Sequence, residues 1–198
     1  MSNYQFAPSP NFGLSEHPFV SWEKGFTNED IAEIIKVCES RQTKEAGIGT
    51  ENQSNDVIRR SKVSWLELAE NSQWIYDKIA YIVRNLNGKF YNFDIHGFVE
   101  DMQFTIYDSE QLGHYNWHQD IGASNSSPRK LSFVLQLSDP SEYEGGDLEL
   151  FHGVEPAKVK KEKGFAVVFP SYMLHRVTPV TSGIRKTLVV WVAGPTFR

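Results

Sequence analysis

The sequence has almost no cysteine, no long hydrophobic run and no excess of positive charge, and each absence excludes a class of protein. Its 198 residues include a single cysteine, Cys38, which excludes a disulfide within the chain and a zinc site built on several thiolates. No apolar stretch approaches the roughly 20 residues needed to span a bilayer. A formal net charge of −5 gives no electrostatic reason to expect nucleic acid or an anionic membrane as a partner.

The beginning of the sequence shows no sign of a secretory signal peptide. It has neither a basic start nor an apolar core. Together with the single cysteine, this predicts a reducing, cytoplasmic location. With 40% hydrophobic and 23% charged residues, the range 1–198 is predicted to be one globular domain, and the sequence indicates no particular oligomeric state.

Two amphipathic helices are predicted in the first third of the chain. The segment Thr27–Asp30 has a capping-box-like T-x-x-D pattern, and apolar residues follow at helical spacing, which predicts a helix over about Asn28–Ser40. A second helix is predicted over about Asn71–Leu86, with Asn87-Gly88 as its end. Between the two helices, the polar stretch Arg41–Lys62 shows neither the helical nor the strand period of apolar residues, and it is predicted to be a long mobile loop.

After about residue 90 the pattern changes to short segments rich in β-branched and aromatic residues, separated by turn residues. Strands this short and this regularly spaced predict a double-sheet jelly roll or a small barrel, because a βαβ fold would need helices between them. The predicted class is therefore α+β, mainly β, with a core at about 90–198 and the helices of about 1–89 packed on one face. The predicted strands are Gly97–Tyr107, Lys130–Leu137, Asp147–Phe151, Gly164–Phe169, His175–Val180 and Lys186–Val192.

Three residues have the pattern of a metal site. His118 and Asp120 form an H-x-D triplet, and in an extended chain residues i and i+2 point to the same face, so both can bind one ion. A third ligand must come from another strand, and His175 opens a later predicted strand. Two imidazoles and one carboxylate leave three positions of an octahedron open, which is the arrangement of non-haem Fe(II) oxygenases.

A single arginine suggests an anion site close to the metal. Arg185 precedes the strand Lys186–Val192 and shares its face with Thr187 and Trp191. If that face points inward, a buried guanidinium there is costly unless an anion meets it. A dicarboxylate cosubstrate supplies such an anion, which the planar fork of arginine can bind in bidentate fashion.

The ordered set His118-x-Asp120, His175 and Arg185 resembles the 2-oxoglutarate- and Fe(II)-dependent dioxygenases. The resemblance is closest to the prolyl-4-hydroxylase-like group that includes the PKHD-type hydroxylases, and it spans about Met102–Ala193. Further stretches that carry it are Tyr115-x-x-His118, Leu137–Pro140, Tyr143–Leu148, His175–Val180 and, more weakly, Arg59–Leu66.

The resemblance implies a double-stranded β-helix in which His118, Asp120 and His175 are the catalytic residues that hold Fe(II). It implies 2-oxoglutarate as cosubstrate, with its distal carboxylate on Arg185, O2 as the second cosubstrate and ascorbate as a reductant. The implied reaction is hydroxylation of an unactivated C–H bond with release of succinate and CO2. A peptide or protein prolyl residue is the expected substrate.

Three further residues are candidates for binding 2-oxoglutarate. Tyr107 lies where the family often has a tyrosine near the cosubstrate, and a half-buried strand aromatic is the alternative. Thr187 can donate its hydroxyl to the same carboxylate as Arg185, or it is a core threonine. Gln136 occupies a position where relatives can have a tyrosine, and a glutamine can replace it as a donor.

Other functions remain open at the level of sequence. The alternatives are an oxygenase acting on a free amino acid or other small metabolite, and a catalytically silent metal-binding jelly roll, which would not need Arg185. A nucleic-acid demethylase is disfavoured because only the terminal Arg198 follows as a second arginine. The segments Arg41–Lys62 and Ala123–Arg129 are candidate lids. Tyr107, Tyr115 and Trp117 are expected to wall a groove beside the triplet.

Overall fold

The computed structural model describes residues 17–47 and 57–196, which form two α-helices and fourteen β-strands. The helices are α1 (Asn28–Glu39) and α2 (Gln73–Leu86). Within the described ranges, no helix has the length and hydrophobicity that crossing a membrane requires. The strands are β1 (Val20–Trp22), β2 (Lys44–Glu45), β3 (Arg59–Arg60), β4 (Lys62–Leu66), β5 (Gly97–Phe98), β6 (Met102–Asp108), β7 (His114–His118), β8 (Arg129–Gln136), β9 (Tyr143–Gly145), β10 (Leu148–Phe151), β11 (Pro156–Lys158), β12 (Ala166–Pro170), β13 (His175–Val177) and β14 (Val180–Ala193).

The strands form two antiparallel sheets that pack against each other. The larger, nine-stranded sheet has the order β1-β12-β8-β14-β6-β4-β2, with β5 and β9 also paired to β14. The smaller sheet has the order β11-β10-β13-β7-β3. Side chains of both sheets meet in one apolar cluster between them, including Tyr107 and Val167 from the large sheet and Leu150 and Val177 from the small one. The predicted mainly β, two-sheet architecture is confirmed.

Helix α1 begins as the sequence predicts. The Thr27 amide donates to Asp30 Oδ2 at 2.8 Å, and the Asp30 amide donates to Thr27 Oγ1 at 3.2 Å, which closes a capping box. The predicted apolar residues Ile31, Ile34 and Cys38 are buried against the large sheet. The helix ends one residue earlier than predicted, because Ser40 is its C-cap.

The end of helix α2 differs from the prediction. The chain does not stop at Asn87-Gly88 but continues through a π-helical turn, Asn87–Tyr91, and Asn92 then takes the left-handed conformation with φ of 52°. The Asn87 side chain holds this turn, because it bonds both the amide and the carbonyl of Phe93. Asn92 therefore takes the role that the sequence had suggested for glycine.

The large sheet has two different neighbours: an apolar layer shared with the helices on one face, and the space between the two sheets on the other. On β8, Leu131, Phe133 and Leu135 pack with both helices. The intervening side chains, among them Ser132 and Val134, point to the opposite face, because successive strand residues alternate. Strands β6, β12 and β14 alternate in the same way, so one sheet supports the helices on one face and a site on the other.

The predicted loop Arg41–Lys62 is partly strand. Strand β2 pairs with β4, and β3 pairs with β7 of the small sheet. Two-residue strands are too short to show a period in the sequence, which explains the error. Residues 48–56 of this segment lie outside the described residues.

Candidate metal centre and anion pocket

A cavity of about 720 Å³ lies between the two sheets and contains most of the residues that the sequence singles out. Its wall includes residues of the large-sheet strands β6, β8 and β14 and of the small-sheet strands β7, β10 and β13. The predicted residues that line it are His118, Asp120, His175, Arg185, Tyr107, Thr187 and Tyr115.

The structure brings the three predicted metal ligands together. Strand pairing sets His118 directly opposite His175, and Asp120 follows β7 by two residues. Nε2 of His118 lies 3.8 Å from Asp120 Oδ1, and Nε2 of His175 lies 3.5 Å from Asp120 Oδ2. All three potential ligand atoms fall within 4.8 Å of one another, which is close enough for one ion.

Both histidines are held in the tautomer that binds a metal. Nδ1 of His118 lies 2.7 Å from the carbonyl oxygen of Asn116, and Nδ1 of His175 lies 2.9 Å from that of Met173. A carbonyl only accepts hydrogen bonds, so each Nδ1 carries the proton and donates it. In the neutral imidazole the lone pair is therefore on Nε2, the nitrogen close to Asp120, and such a hydrogen bond also fixes the ring orientation.

The protonation states suit the same role. Burial, followed by the influence of His175, lowers the pKa of His118 to about 3. Burial alone would raise the pKa of Asp120, but the interactions with His175 and His118 and a hydrogen bond from Ser132 lower it below its usual value. At neutral pH the site therefore presents a neutral imidazole at His118 and a carboxylate at Asp120, which are the forms that ligate metals. Two imidazole nitrogens and a carboxylate oxygen fit a divalent transition metal such as Fe(II).

A β-bulge shapes the wall beside this centre. His118 pairs with His175 but Tyr115 pairs with Val177, so β7 has one more residue than β13 between the two pairs. Tyr115 and His118 consequently share a face, and their rings stack with centroids 3.4 Å apart. Trp117 packs elsewhere, with its ring edge-on to Phe151, and is absent from the cavity wall. The expectation that Trp117 walls the groove is wrong, because Trp117 directly precedes His118 in β7 and adjacent strand residues point to opposite faces.

Arg185, in the cavity wall formed by β14, is buried, and only part of its hydrogen-bonding capacity is used. The side chain is 1% exposed, its Nη2 donates to Gln136 Oε1 at 3.1 Å, and its guanidinium lies 5.3 Å from the ring centre of Tyr107. Among the described residues, its Nε has no hydrogen-bond partner, and neither does the buried hydroxyl of Tyr143. Gly146 leaves room for the arginine, since a Cβ at this glycine would lie 2.9 Å from Arg185 Cδ.

These unused donors fit an anionic ligand. A guanidinium without an anionic partner is strongly destabilising in a protein interior, so a carboxylate that enters the cavity gains a charge-assisted bond there. Thr187 and Tyr107 line the cavity close to Arg185, whereas Gln136 holds the arginine without being part of the wall. A carboxylate has the charge that these donors require.

Sequence patterns did not identify several polar residues of the site. Ser132 donates to Asp120 Oδ2, and its only signal was a polar position within the apolar strand β8. Arg129 donates to the Glu100 carboxylate and to the Asp120 carbonyl, and its guanidinium lies 3.7 Å from the Trp191 ring centre. Arg59, in β3, is the first residue of the stretch Arg59–Leu66, whose resemblance to the family is weaker.

Arg59 contributes to the wall through an aromatic neighbour. It donates from Nε to Ser61 Oγ at 2.8 Å and lies 4.6 Å from the Tyr115 ring centre. The Tyr115 ring thus contacts both the guanidinium of Arg59 and the imidazole of His118 at the cavity.

Comparison with known proteins identifies relatives for this part of the chain. Residues 102–193 match the 2OG-Fe(II) oxygenase superfamily. A PKHD-type hydroxylase of Synechococcus sp. (strain CC9311) is 42% identical over 90 residues, which cover 46% of this chain and 41% of that protein. A PKHD-type hydroxylase of Prochlorococcus marinus is 37% identical over 134 residues, covering 68% of this chain and 56% of the relative. The chain spans about half the length of these curated relatives.

Solved structures share the fold. A prolyl hydroxylase from Trichoplax adhaerens, in complex with a hypoxia-inducible-factor oxygen degradation domain peptide fragment, has a TM-score of 0.77 at 18% identity, covering 90% of this chain and 84% of its own. A prolyl-4-hydroxylase from Pseudomonas putida has a TM-score of 0.73 at 19% identity, covering 92% and 95%. The predicted jelly roll and the predicted resemblance are both confirmed.

Proposed function

We propose that this protein is an Fe(II)- and 2-oxoglutarate-dependent dioxygenase, because residues 102–193 match the 2OG-Fe(II) oxygenase superfamily. We further propose that it hydroxylates a prolyl residue of a peptide or protein, with release of succinate and CO2. The observation that carries the proposal is one cavity lined both by the convergent donors of His118, Asp120 and His175 and by the buried guanidinium of Arg185.

The metal would be held by Nε2 of His118, Nε2 of His175 and the carboxylate of Asp120. Three protein ligands would leave coordination positions of the metal open for the cosubstrates. When bound, Fe(II) and 2-oxoglutarate supply the oxidising chemistry that inserts one oxygen atom into a C–H bond. The protein would hold the ligand atoms in a fixed orientation, through the carbonyls of Asn116 and Met173 and the hydroxyl of Ser132.

The cosubstrate would be oriented from its far end by Arg185. Gln136 fixes one end of the guanidinium, so the remaining donors are left for the carboxylate. The hydroxyls of Thr187 and Tyr107 line the same part of the cavity and are proposed as further donors. Apolar neighbours such as Val180 and Leu148 limit the access of water to this end, which strengthens each polar interaction there.

A peptide substrate is supported by the fold neighbours and by the wall of the cavity. One neighbour was solved with a bound peptide fragment, and both are named prolyl hydroxylases. The cavity wall also includes the aromatic side chains Tyr115, Trp65 and Trp191, which offer flat apolar surface to a proline ring. Arg59 adds a cation beside them, and it can bind the carbonyl groups of a peptide chain.

The test is turnover by the purified protein with Fe(II), 2-oxoglutarate, O2 and ascorbate. A panel of proline-containing peptides and a panel of free amino acids are incubated separately, and each product is examined by mass spectrometry for one added oxygen atom. Succinate is measured in the same samples. His175→Ala is the matched inactive variant, because it removes one proposed ligand from the metal site.

Each outcome assigns a different function. A hydroxylated peptide together with succinate supports the proposal. Oxidation of free amino acids without any peptide product replaces it with the small-metabolite alternative, and leaves the metal and Arg185 assignments standing. Metal binding without any 2-oxoglutarate binding would instead favour a catalytically silent jelly roll.

A further inference from the structure

Two fully buried serines lie behind the Asp120 carboxylate, outside the set of expected ligands. Ser132, on β8, donates from Oγ to Asp120 Oδ2 at 2.6 Å. Its oxygen also lies 3.0 Å from Oγ of Ser171, in the segment that follows β12. Both serines have no exposed surface, so water cannot replace either hydrogen bond.

The direction of this chain of hydrogen bonds follows from counting hydrogens. An ionised Asp120 only accepts, so the single hydroxyl hydrogen of Ser132 must go to the carboxylate. The contact between the two serines then requires Ser171 to donate to Ser132, since Ser132 has no second hydrogen. The order of donation is therefore Ser171 to Ser132 to Asp120.

The backbone holds the same segments together. The amides of Asp120 and Ile121 both donate to the Ser171 carbonyl, at 2.9 and 3.1 Å, and the Ser171 amide donates to the Lys130 carbonyl at 2.9 Å. Ser132 is paired in register with Phe169, two residues before Ser171. The backbone and the side chain of Asp120 are thus fixed relative to the large sheet independently of any bound ion.

We propose that Ser132 and Ser171 are positioning residues that set the affinity of the metal centre, by orienting the Asp120 carboxylate through a one-way hydrogen-bond chain. The inference rests on the proposed metal site and adds two residues that act through one of its ligands. A carboxylate is free to rotate about its last bond, and a bond to one oxygen fixes the plane in which its remaining lone pairs point. Loss of such outer partners typically weakens metal binding by about 10–100-fold.

The experiment measures Mn(II) binding by electron paramagnetic resonance, which reports free Mn(II) directly. Mn(II) lies next to Fe(II) in the order of ligand affinity, binds carboxylates well and is stable in air, so it can replace Fe(II) in the titration. The variants are Ser132→Ala, Ser171→Ala and the double variant. Ser64→Ala is the matched control, because the Ser64 hydroxyl is equally buried but donates to the Cys38 carbonyl on the helix side.

We expect Ser132→Ala to raise the Mn(II) dissociation constant about tenfold, and Ser171→Ala to raise it by less. The double variant should match Ser132→Ala, because the Ser171 hydroxyl acts only through Ser132. Ser132→Thr keeps the hydroxyl and should restore affinity, whereas Ser64→Ala should lower the unfolding temperature without changing affinity. The visible spectrum of the Co(II)-loaded protein should change in Ser132→Ala and not in Ser64→Ala.

The outcomes separate this inference from the function on which it rests. Wild-type affinity in a folded Ser132→Ala variant would overturn the inference and leave the metal site intact. Independent, multiplying effects of Ser132→Ala and Ser171→Ala would overturn the one-way chain. A wild-type protein that binds no Mn(II) would overturn the proposed metal site itself, and the inference with it.

Discussion

Both faces of the large sheet have fully buried side chains, but buried polar and charged groups of the site lie on the cavity face. On the helix face of β8 and β14, Leu131, Phe133 and Leu188 have no exposed surface. On the cavity face of the same strands, Ser132 has none and Arg185 has 1%. Burial therefore does not distinguish the structural face from the functional one. The difference lies in unused hydrogen-bonding capacity: Ser132 is satisfied by Asp120 and Ser171, but Nε of Arg185 has no partner among the described residues.

The energetic consequences of the two faces differ in sign. Apolar side chains on the helix face stabilise the fold by roughly 25 cal/mol for each Å² removed from water. On the cavity face, the guanidinium of Arg185 has no carboxylate within ion-pair distance among the described residues, so its desolvation opposes folding. Substitutions on the two faces should consequently separate stability from ligand binding.

The largest effect is expected for Arg185→Met. Loss of the charge should weaken binding of 2-oxoglutarate to the Mn(II)-loaded protein by more than about 100-fold, which corresponds to the roughly 3–5 kcal/mol lost when a buried charge pair is broken. The free energy of unfolding without ligand should stay the same or rise, because an uncompensated buried charge is removed. Calorimetry and urea unfolding measure the two quantities.

The control for this prediction is Arg84→Met, which removes an exposed arginine from α2. Arg185→Lys should bind 2-oxoglutarate with intermediate affinity, because it keeps the charge but loses the planar fork. Unchanged affinity in Arg185→Met would show that the anion binds elsewhere.

The second largest effect is expected for Phe133→Ala, compared with a substitution of its neighbour Ser132 on β8. Phe133→Ala should lower the free energy of unfolding by about 3–5 kcal/mol, because it leaves a cavity in the apolar layer. The Mn(II) affinity of the molecules that remain folded should not change. Urea unfolding and metal titration of Phe133→Ala and Ser132→Ala, side by side, test whether the two faces are independent. A loss of metal affinity in Phe133→Ala would contradict this.

A smaller, pH-dependent effect is expected at the edge of the helix layer. Burial acts to raise the pKa of Asp30, but hydrogen bonds from Lys78 and from the Thr27 amide outweigh it and lower that pKa. A lowered folded-state pKa means that the carboxylate stabilises the fold above its unfolded pKa of about 3.9, and that this contribution is lost as the pH falls through the folded value. Asp30→Asn should therefore cost about 0.5–1 kcal/mol at pH 7, and almost nothing in strong acid.

Urea unfolding of the wild type and Asp30→Asn at several pH values measures this difference. Glu33→Gln is the matched control, because its partner Lys36 and the carboxylate itself are both largely exposed. An effect of Asp30→Asn that stays constant down to strong acid would exclude the carboxylate as its cause.

The smallest expected effect is at Cys38 in the same layer. Burial raises the pKa of this thiol to about 12, so the nucleophilic thiolate is scarce at ordinary pH. Iodoacetamide at pH 8 should leave the native protein unmodified, and should alkylate Cys38 once denaturant is added. Mass spectrometry measures both. Rapid alkylation of the native protein would indicate that the helix layer opens readily.

The sequence predicted those parts of the site that depend on local periodicity. His118 and Asp120 both reach the metal position, as the two-residue repeat suggested, although Asp120 lies two residues beyond the end of β7. The inward position of Arg185 follows from the same repeat within β14. The β7 bulge was not predictable, because an extra residue in one strand becomes visible only when its partner strand is known. Ser132 and Ser171 are 39 residues apart, and only the pairing of β8 with β12 makes them neighbours.

The bonds from His118 and His175 to backbone carbonyls have a consequence for how this site tolerates change. Each imidazole is oriented by the carbonyl two residues earlier, of Asn116 and of Met173, and every amino acid has that group. Side chains at these two positions can therefore vary without disturbing the ring above them, so long as the path of the chain is kept. The backbone path therefore sets the orientation of the metal-facing nitrogens, and substitutions at residues 116 and 173 that keep this path should not change that orientation.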